Sequence, residues 1–309
     1  MSTTNRGRGA QGWWFRRGRF GAAHVLLVLM AATTLLPFVW MVVAGSKPLS
    51  ESERVNPFPQ PQTVDAHLRQ SQAAEFSLWE YYAANTRANY DSVWNSTDIS
   101  FKKYYFNSLF VAGWVTLLTC TTSAMAAYAF ARLAWPGRDH VFKLYLATMM
   151  IPGVVTMIPN YTLIVQLHML DTYQALIIPA AFSAFGTFLM RQFMLGIPPS
   201  LDEAAVIDGA SHWRLFWDII LPLSRPGIIT LALLTFLGNY GSFFWPLVSI
   251  KSEHLRTLPV GMLYFDTLYV RQTNLIMAAT VLNIIPLIVV FVILQKQLVR
   301  GIQLGAVKG

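Results

Sequence analysis

At 309 residues, 54% hydrophobic, 14% aromatic and only 12% charged, the chain is too apolar for an ordinary soluble domain. A formal charge of +8 would suit nucleic acid, but the cations flank long apolar runs, which fits the anionic face of a membrane instead. Lipid is the expected surrounding, and nucleic acid is not an expected partner. The single cysteine, Cys120, stands between threonines in an apolar run, which leaves no intrachain disulfide and a packing role.

Crossing ~30 Å of hydrocarbon takes about 20 mostly apolar residues at ~1.5 Å of rise each. In chain order, a basic segment (1–20) precedes a first span (21–45). A long outer loop follows (46–105), and then a core of five further spans (106–295), at 106–131, 143–167, 173–193, 226–250 and 275–295. Within that core lie a loop at 196–224 and a second outer loop at 250–274, and a short tail (296–309) closes the chain. Pro152, Pro159, Pro179, Pro226, Pro246 and Pro286 interrupt the spans, so the fold expected is all-α and polytopic, with six kinked transmembrane helices.

Orientation follows from the basic residues. Arg6, Arg8, Arg16, Arg17 and Arg19 precede the first span, beside the interfacial aromatics Trp13, Trp14 and Phe15. With six spans, most of the 23 cations fall on the side of the amino terminus, which makes that side the cytoplasm. Both termini are then cytoplasmic. The acids fall in the loops of this reading, which weakens a carrier driven by protons or sodium. A secondary transporter, or another polytopic membrane protein, is the alternative reading.

Enzyme chemistry finds no foothold. The histidines are too far apart for a zinc-binding pair on one helical turn, there is no Gly-x-Ser-x-Gly elbow, and no lysine follows a glycine as a phosphate loop requires. No catalytic or metal site is expected, and no cofactor bound by this chain.

The loop between the fourth and fifth spans carries the most information. Ser200 with Glu203 three residues on has the spacing of a capping box, Gly209 permits the left-handed turn that ends a short helix, and Ser211 can cap a second one. Trp213, Phe216, Trp217 and Ile220 recur at helical spacing as one apolar face, which must be buried on something, and Pro222 closes the unit. Ala204 and Ala205 keep one side small enough for a partner to approach the backbone.

Glu203, Ala204, Ala205, Gly209, Ile219, Leu221 and Pro222 occupy every place of a motif, Glu-Ala-Ala, three residues, Gly, nine residues, Ile, one residue, Leu-Pro. In this the chain resembles the integral-membrane subunits of bacterial binding-protein-dependent ABC importers. It is similar to the smaller, six-span permease subunit of the maltose importer and its sugar and glycerol-phosphate relatives. Tyr128-Ala129-Phe130-Ala131-Arg132, Asp208-Gly209-Ala210-Ser211 and the ending from Val299 also look like that group. Departures are the long segment 47–103 and Asn239-Tyr240-Gly241-Ser242, where many relatives carry a Trp-Asn pair.

The resemblance implies a MetI-like permease fold in the bacterial inner membrane and a transport subunit rather than an enzyme. The implied partners are a second permease subunit, a dimer of ATPase subunits that bind ATP and Mg, and an extracytoplasmic solute-binding protein. The cargo implied is a sugar, oligosaccharide, polyol or glycerol phosphate. The loop from Glu203 to Pro222, with Ala210, Ser211 and Trp213, would couple to the ATPase. Asn160, Gln166, Asn239, Tyr240 and Ser242 are candidates for the substrate path. Among outer aromatics expected to be exposed (Trp79, Tyr81, Tyr82, Trp94 and Tyr264), Trp79, Trp94 and Tyr264 are candidates for binding-protein contact. Tyr104 and Tyr105 are expected to rest at lipid headgroups.

The orientation predicts which sites an impermeant thiol reagent reaches in whole cells. In a Cys120→Ser background, Ser71→Cys and Ser252→Cys should react and Ser211→Cys should not. Reaction at Ser211→Cys alone would invert the topology.

Overall fold

A computed structural model describes residues 9–71, 76–96, 101–265 and 272–306, with side chains for 23–69, 76–96, 101–263 and 272–295. The described residues form helices and connecting turns, with no strand. Three helices are long and apolar enough to cross a membrane: Ala23–Gly45, Phe101–Ala131 and Thr273–Gln295. Three bent pairs pass the same test together, Arg138–Met150 with Gly153–Gln166 at 97°, Tyr173–Ala181 with Ala184–Leu195 at 42°, and His212–Leu223 with Arg225–Tyr240 at 74°.

The sharpest bend follows from one residue. Pro152 cannot donate a backbone bond and pushes its predecessor out of the helical region, and Ile151 is accordingly extended, at φ −81° and ψ 117°. The fifth span departs from the continuous 226–250 run expected. Its helix stops after the 16 residues Arg225–Tyr240, about 24 Å at 1.5 Å per residue, and a separate short helix, Phe244–Ser249, completes it.

The chain forms two compact units. The first comprises 1–93 with 268–282, and its centre is polar. Lys47 is fully buried, its Nζ donating to the carbonyls of Arg54 (3.0 Å) and Asn56 (2.6 Å) and lying 4.9 Å from the Trp40 ring. Burial pulls its ammonium below the usual lysine range, against the opposing pull of Glu51. Glu51 accepts from the Tyr81 hydroxyl (3.1 Å) and the Gln60 amide (2.8 Å). Tyr81, expected as an exposed aromatic, is therefore a core residue at 1% exposure. Asn89 holds this centre to the helix ends, donating to the carbonyls of Gly45 (2.9 Å) and Lys47 (2.8 Å) and accepting from Asn274 (2.9 Å).

The second unit, 94–267 with 283–309, is built around Phe101–Ala131. That helix packs against Ala184–Leu195 and Arg225–Tyr240. Gly186 permits the approach, since a Cβ there would lie 2.5 Å from Ser123 Oγ and 3.2 Å from Leu231. One buried cluster joins Ala124, Ala127, Met190, Met194 and Leu231, with half-buried Cys120 packed on it as expected. A second joins Val111, Val115, Leu176 and Ile250 nearer the start of the same helix.

Over that start lies the segment 253–261. Asn107 donates to the carbonyls of His254 and Arg256 (both 2.9 Å), Tyr173 donates to Asn107, and the Leu258 amide donates to Ser108 Oγ (2.7 Å). Tyr104 belongs to this arrangement rather than to a lipid belt, being 1% exposed with its hydroxyl donating to Glu253 (2.9 Å). Asp171 accepts from the hydroxyl and amide of Ser252 and the amide of Lys251, and these bonds hold its carboxyl below the usual range.

Arg191 is an ionisable group inside the fourth span, which an inspection of acids alone passes over. Its Nε donates to the Phe130 carbonyl (3.1 Å), its guanidinium lies 4.2 Å from the Phe142 ring, and Asp139 is 3.6 Å away.

The first unit predicts a clear stability defect. Asn89→Ala orphans two buried carbonyls, at roughly 1–3 kcal/mol each, and should lower the thermal midpoint of the detergent-purified protein by several degrees. An unchanged midpoint would show that Asn89 does not hold this unit.

Candidate functional site

The motif loop folds as a short helix, Ser200–Ile207, a turn, and a helical run from His212 to Leu223. The capping box does not form. Pro199 is the N-cap and makes no side-chain cap bond, so Ser200 is already inside the helix and Glu203 is exposed without a capping role. Proline's fixed φ starts the helix instead. Gly209 adopts φ +79°, the left-handed turn expected, and the amides of Gly209 and Ala210 close it onto the carbonyls of Val206 (3.0 Å) and Ala205 (2.9 Å). Ser211 caps the second run, accepting from the Arg214 amide (3.3 Å). Pro222 does not close the unit: the run passes through it and breaks at Ser224, just before Arg225-Pro226.

The apolar face expected of the second helix is divided. Phe216 (2% exposed) and Ile220 (0%) enter the chain's own core with Leu215 and Ala205, while Ile219, Leu221 and Ala210 pack at its edge. Trp213 stays 61% exposed, with its ring against those of Phe216 and Trp217. Ala204 is exposed but Ala205 faces inward, so only the first of the two alanines leaves a small outer side. Leu201, Val206, Ile207, Trp213 and Trp217 remain exposed apolar side chains, with Ile207 at 85% exposure.

What fixes the loop is a buried charge. Arg132, with its side chain 6% exposed, sends Nη1 to Asp202 Oδ2 (2.9 Å) and Nη2 to the carbonyls of Met194 (2.5 Å) and Ile197 (2.8 Å). One guanidinium thus joins the end of the second span, the end of the fourth and the first loop helix. Tyr128 adds a bond from its hydroxyl to the His212 carbonyl (3.1 Å), and its ring lies 5.2 Å from that of Phe216 at a tilt of 56°. Asp202 was not singled out in the sequence; its partner lies 70 residues away, and no local spacing signals such a pair.

Near the opposite end of the second span is a cavity of about 220 Å³. It brings together Asn160, Asn239 and Ser242 from the proposed path, and adds Ser108, Thr257 and Trp245. Gln166 is exposed away from it, and Tyr240 is buried at 1% beside it without lining it. Of the outer aromatics, Trp79 is 81% exposed. Trp94 is 38% exposed and packs on Phe101 and Tyr105, with Lys102 Nζ 5.9 Å from its ring. The side chain of Tyr264 lies outside the described residues.

Residues 121–304 match the family model described as a binding-protein-dependent transport system inner membrane component. The arabinooligosaccharides transport system permease protein of Bacillus subtilis is 34% identical over 221 residues, 72% of this chain and 78% of that one. The sn-glycerol-3-phosphate transport system permease protein of Yersinia enterocolitica is 32% identical over 289 residues, 93% of this chain and 97% of that one. In fold, the chain superposes on one from the crystal structure of a bacterial ABC transporter that imports the acidic polysaccharide alginate. The TM-score is 0.74 at 22% identity, over 95% of this chain and 99% of that one.

Removing one partner of a buried ion pair costs roughly 3–5 kcal/mol because the other charge is left uncompensated. Arg132→Met should therefore lower the thermal midpoint in detergent markedly and expose the loop to protease. Arg132→Lys should recover only part, since an ammonium cannot fork to three acceptors in fixed directions. Wild-type behaviour of Arg132→Met would mean that the loop is held by its apolar contacts alone.

Proposed function

The chain belongs to the family of binding-protein-dependent transport system inner membrane components, and from that premise we propose that it forms half of the translocation path of an ATP-driven importer. The cargo is a sugar, an oligosaccharide or a related polyol or glycerol phosphate, in keeping with the relatives that carry arabinooligosaccharides and sn-glycerol 3-phosphate. A second permease supplies the other half, and a pair of ATPase subunits binds ATP and Mg. An extracytoplasmic solute-binding protein delivers the cargo against the outer loops, where Trp79 stands 81% exposed. Both termini are cytoplasmic.

One observation carries this reading: the motif loop is held rigidly from within and apolar without. Arg132 and the buried Phe216 and Ile220 fix it to the spans, while Val206, Ile207 and Trp213 are left exposed on the other side. Exposed apolar groups on a rigid support suit a docking face. The loop seats this face, with Glu203 beside it, in a cleft of the ATPase. When ATP closes the ATPase dimer, the movement passes through the loop to the second and fourth spans, and the path turns from inward to outward facing. This is coupling through rigid bodies with two arrangements.

Gly209 provides the test. Its surroundings are open, so a side chain there clashes with nothing, but at φ +79° a β-branched residue is strained. Gly209→Val should insert and assemble yet lose uptake and the stimulation of ATP hydrolysis by loaded binding protein, both measured on the reconstituted complex. Wild-type stimulation and uptake in that variant would remove the loop from the coupling route.

A further inference from the structure

The cavity at the far end of the second span has a chemical signature that the importer reading does not specify. Its polar wall is made of amides and hydroxyls: Asn160, Asn239, Ser242, Ser108 and Thr257. Thr257 is 4% exposed and its Oγ1 has no hydrogen-bond partner, an expensive state for a buried hydroxyl. Ser108 is 2% exposed and its oxygen accepts from the Leu258 amide, which leaves its own proton to donate. Trp245 also lines the cavity, its indole held by the N–H bond to the Ala175 carbonyl (2.9 Å). Val111, Leu176 and Pro179 supply the apolar remainder. None of the described residues that line the cavity is charged.

We infer that this cavity is the chain's own subsite for one uncharged sugar ring, and that the cargo of the importer is a neutral carbohydrate rather than a phosphorylated or carboxylated one. The inference rests on the importer reading and narrows it. Hydroxyls and amides can both donate and accept, which matches the alternating donor and acceptor character of ring hydroxyls. The C–H face of a sugar is weakly positive and rests on the negative face of an indole. A volume of about 220 Å³ lies below the roughly 300–1,000 Å³ typical of pockets for drug-sized ligands, so the cavity takes one ring and not a chain. A phosphate or carboxylate placed here would lose water without meeting a cation from this wall.

The test uses the reconstituted complex of both permeases, the ATPase pair and the binding protein, in a Cys120→Ser background with Ser242→Cys as reporter. Maleimide alkylation of the reporter is followed with excess arabinose or glucose, and separately with excess glycerol 3-phosphate or glucuronate. A neutral sugar should slow alkylation about fivefold, the mass-action factor of a mostly filled site, and the anions should leave the rate unchanged. Val111→Cys, an apolar reporter in the same wall, repeats the measurement if Ser242→Cys itself weakens binding. Equal protection by the anions, or protection by no compound at either reporter, overturns the inference. Failure of the importer reading would appear separately, as absence of ATP-driven, binding-protein-dependent uptake by the unsubstituted complex.

Discussion

A guanidinium withdrawn from water needs compensation, and Arg132 finds it at its two terminal nitrogens by drawing three parts of the chain to one point, while its Nε is left without a partner. Asp202 supplies the counter-charge, and the carbonyls of Met194 and Ile197, at and just beyond the end of the fourth-span helix, accept from Nη2. The same contact therefore neutralises a buried charge, caps a helix and sets the attitude of the motif loop. The apolar packing beneath depends on that attitude, because Ala205, Leu215, Phe216 and Ile220 reach the core only when the loop lies flat against the second and fourth spans.

Breaks in the spans are the counterpart of this rigidity. A broken helix inside a membrane must have its loose backbone groups satisfied by neighbours. Thr119 and Thr122 do this at the break in the fourth span, their hydroxyls donating to the carbonyls of Ala180 (2.9 Å) and Ala181 (2.7 Å). Trp245 does the same for Ala175 (2.9 Å). Serine, threonine and tryptophan along apolar helices thus act here as fasteners between spans, which explains why polar residues in a span are a weak guide to the path of a solute. Asn239 donates to its own helix at Thr235 (2.9 Å) and yet lines the cavity, so one amide serves both ends.

How far the sequence could be read followed the range of the forces involved. The existence of long apolar helices, the bend at Pro152, the turn at Gly209 and the cap at Ser211 are local properties of hydropathy, proline and backbone angle, and each was legible, whereas the break after Tyr240 in the fifth span was not. The capping box failed because Ser200 and Glu203 compete with Pro199, which starts the helix one residue earlier. Tyr81 and Tyr104 were misread for another reason: an aromatic in an outer loop looks exposed until its partner is known, and their partners, Glu51 and Glu253, lie 30 and 149 residues away. Arg132 with Asp202 belongs to the same class. The convergence of Asn160, Asn239 and Ser242 was partly visible as polarity in apolar runs, but the Thr257 contribution comes from a segment that only the fold brings there.

The second span gives these separate features a common mechanical sense. Ser108 at the cavity and Tyr128 at the loop stand 20 residues apart on one helix, about 30 Å at 1.5 Å per residue. No proline or bend interrupts Phe101–Ala131, whereas the third, fourth and fifth spans are all broken. A continuous helix bonded at one end to the motif loop and lining the cavity at the other moves as a rod. In the coupling proposed above, displacement of the loop would therefore reach Ser108 and Val111 through an unbroken helix, while the broken spans around it would serve as joints.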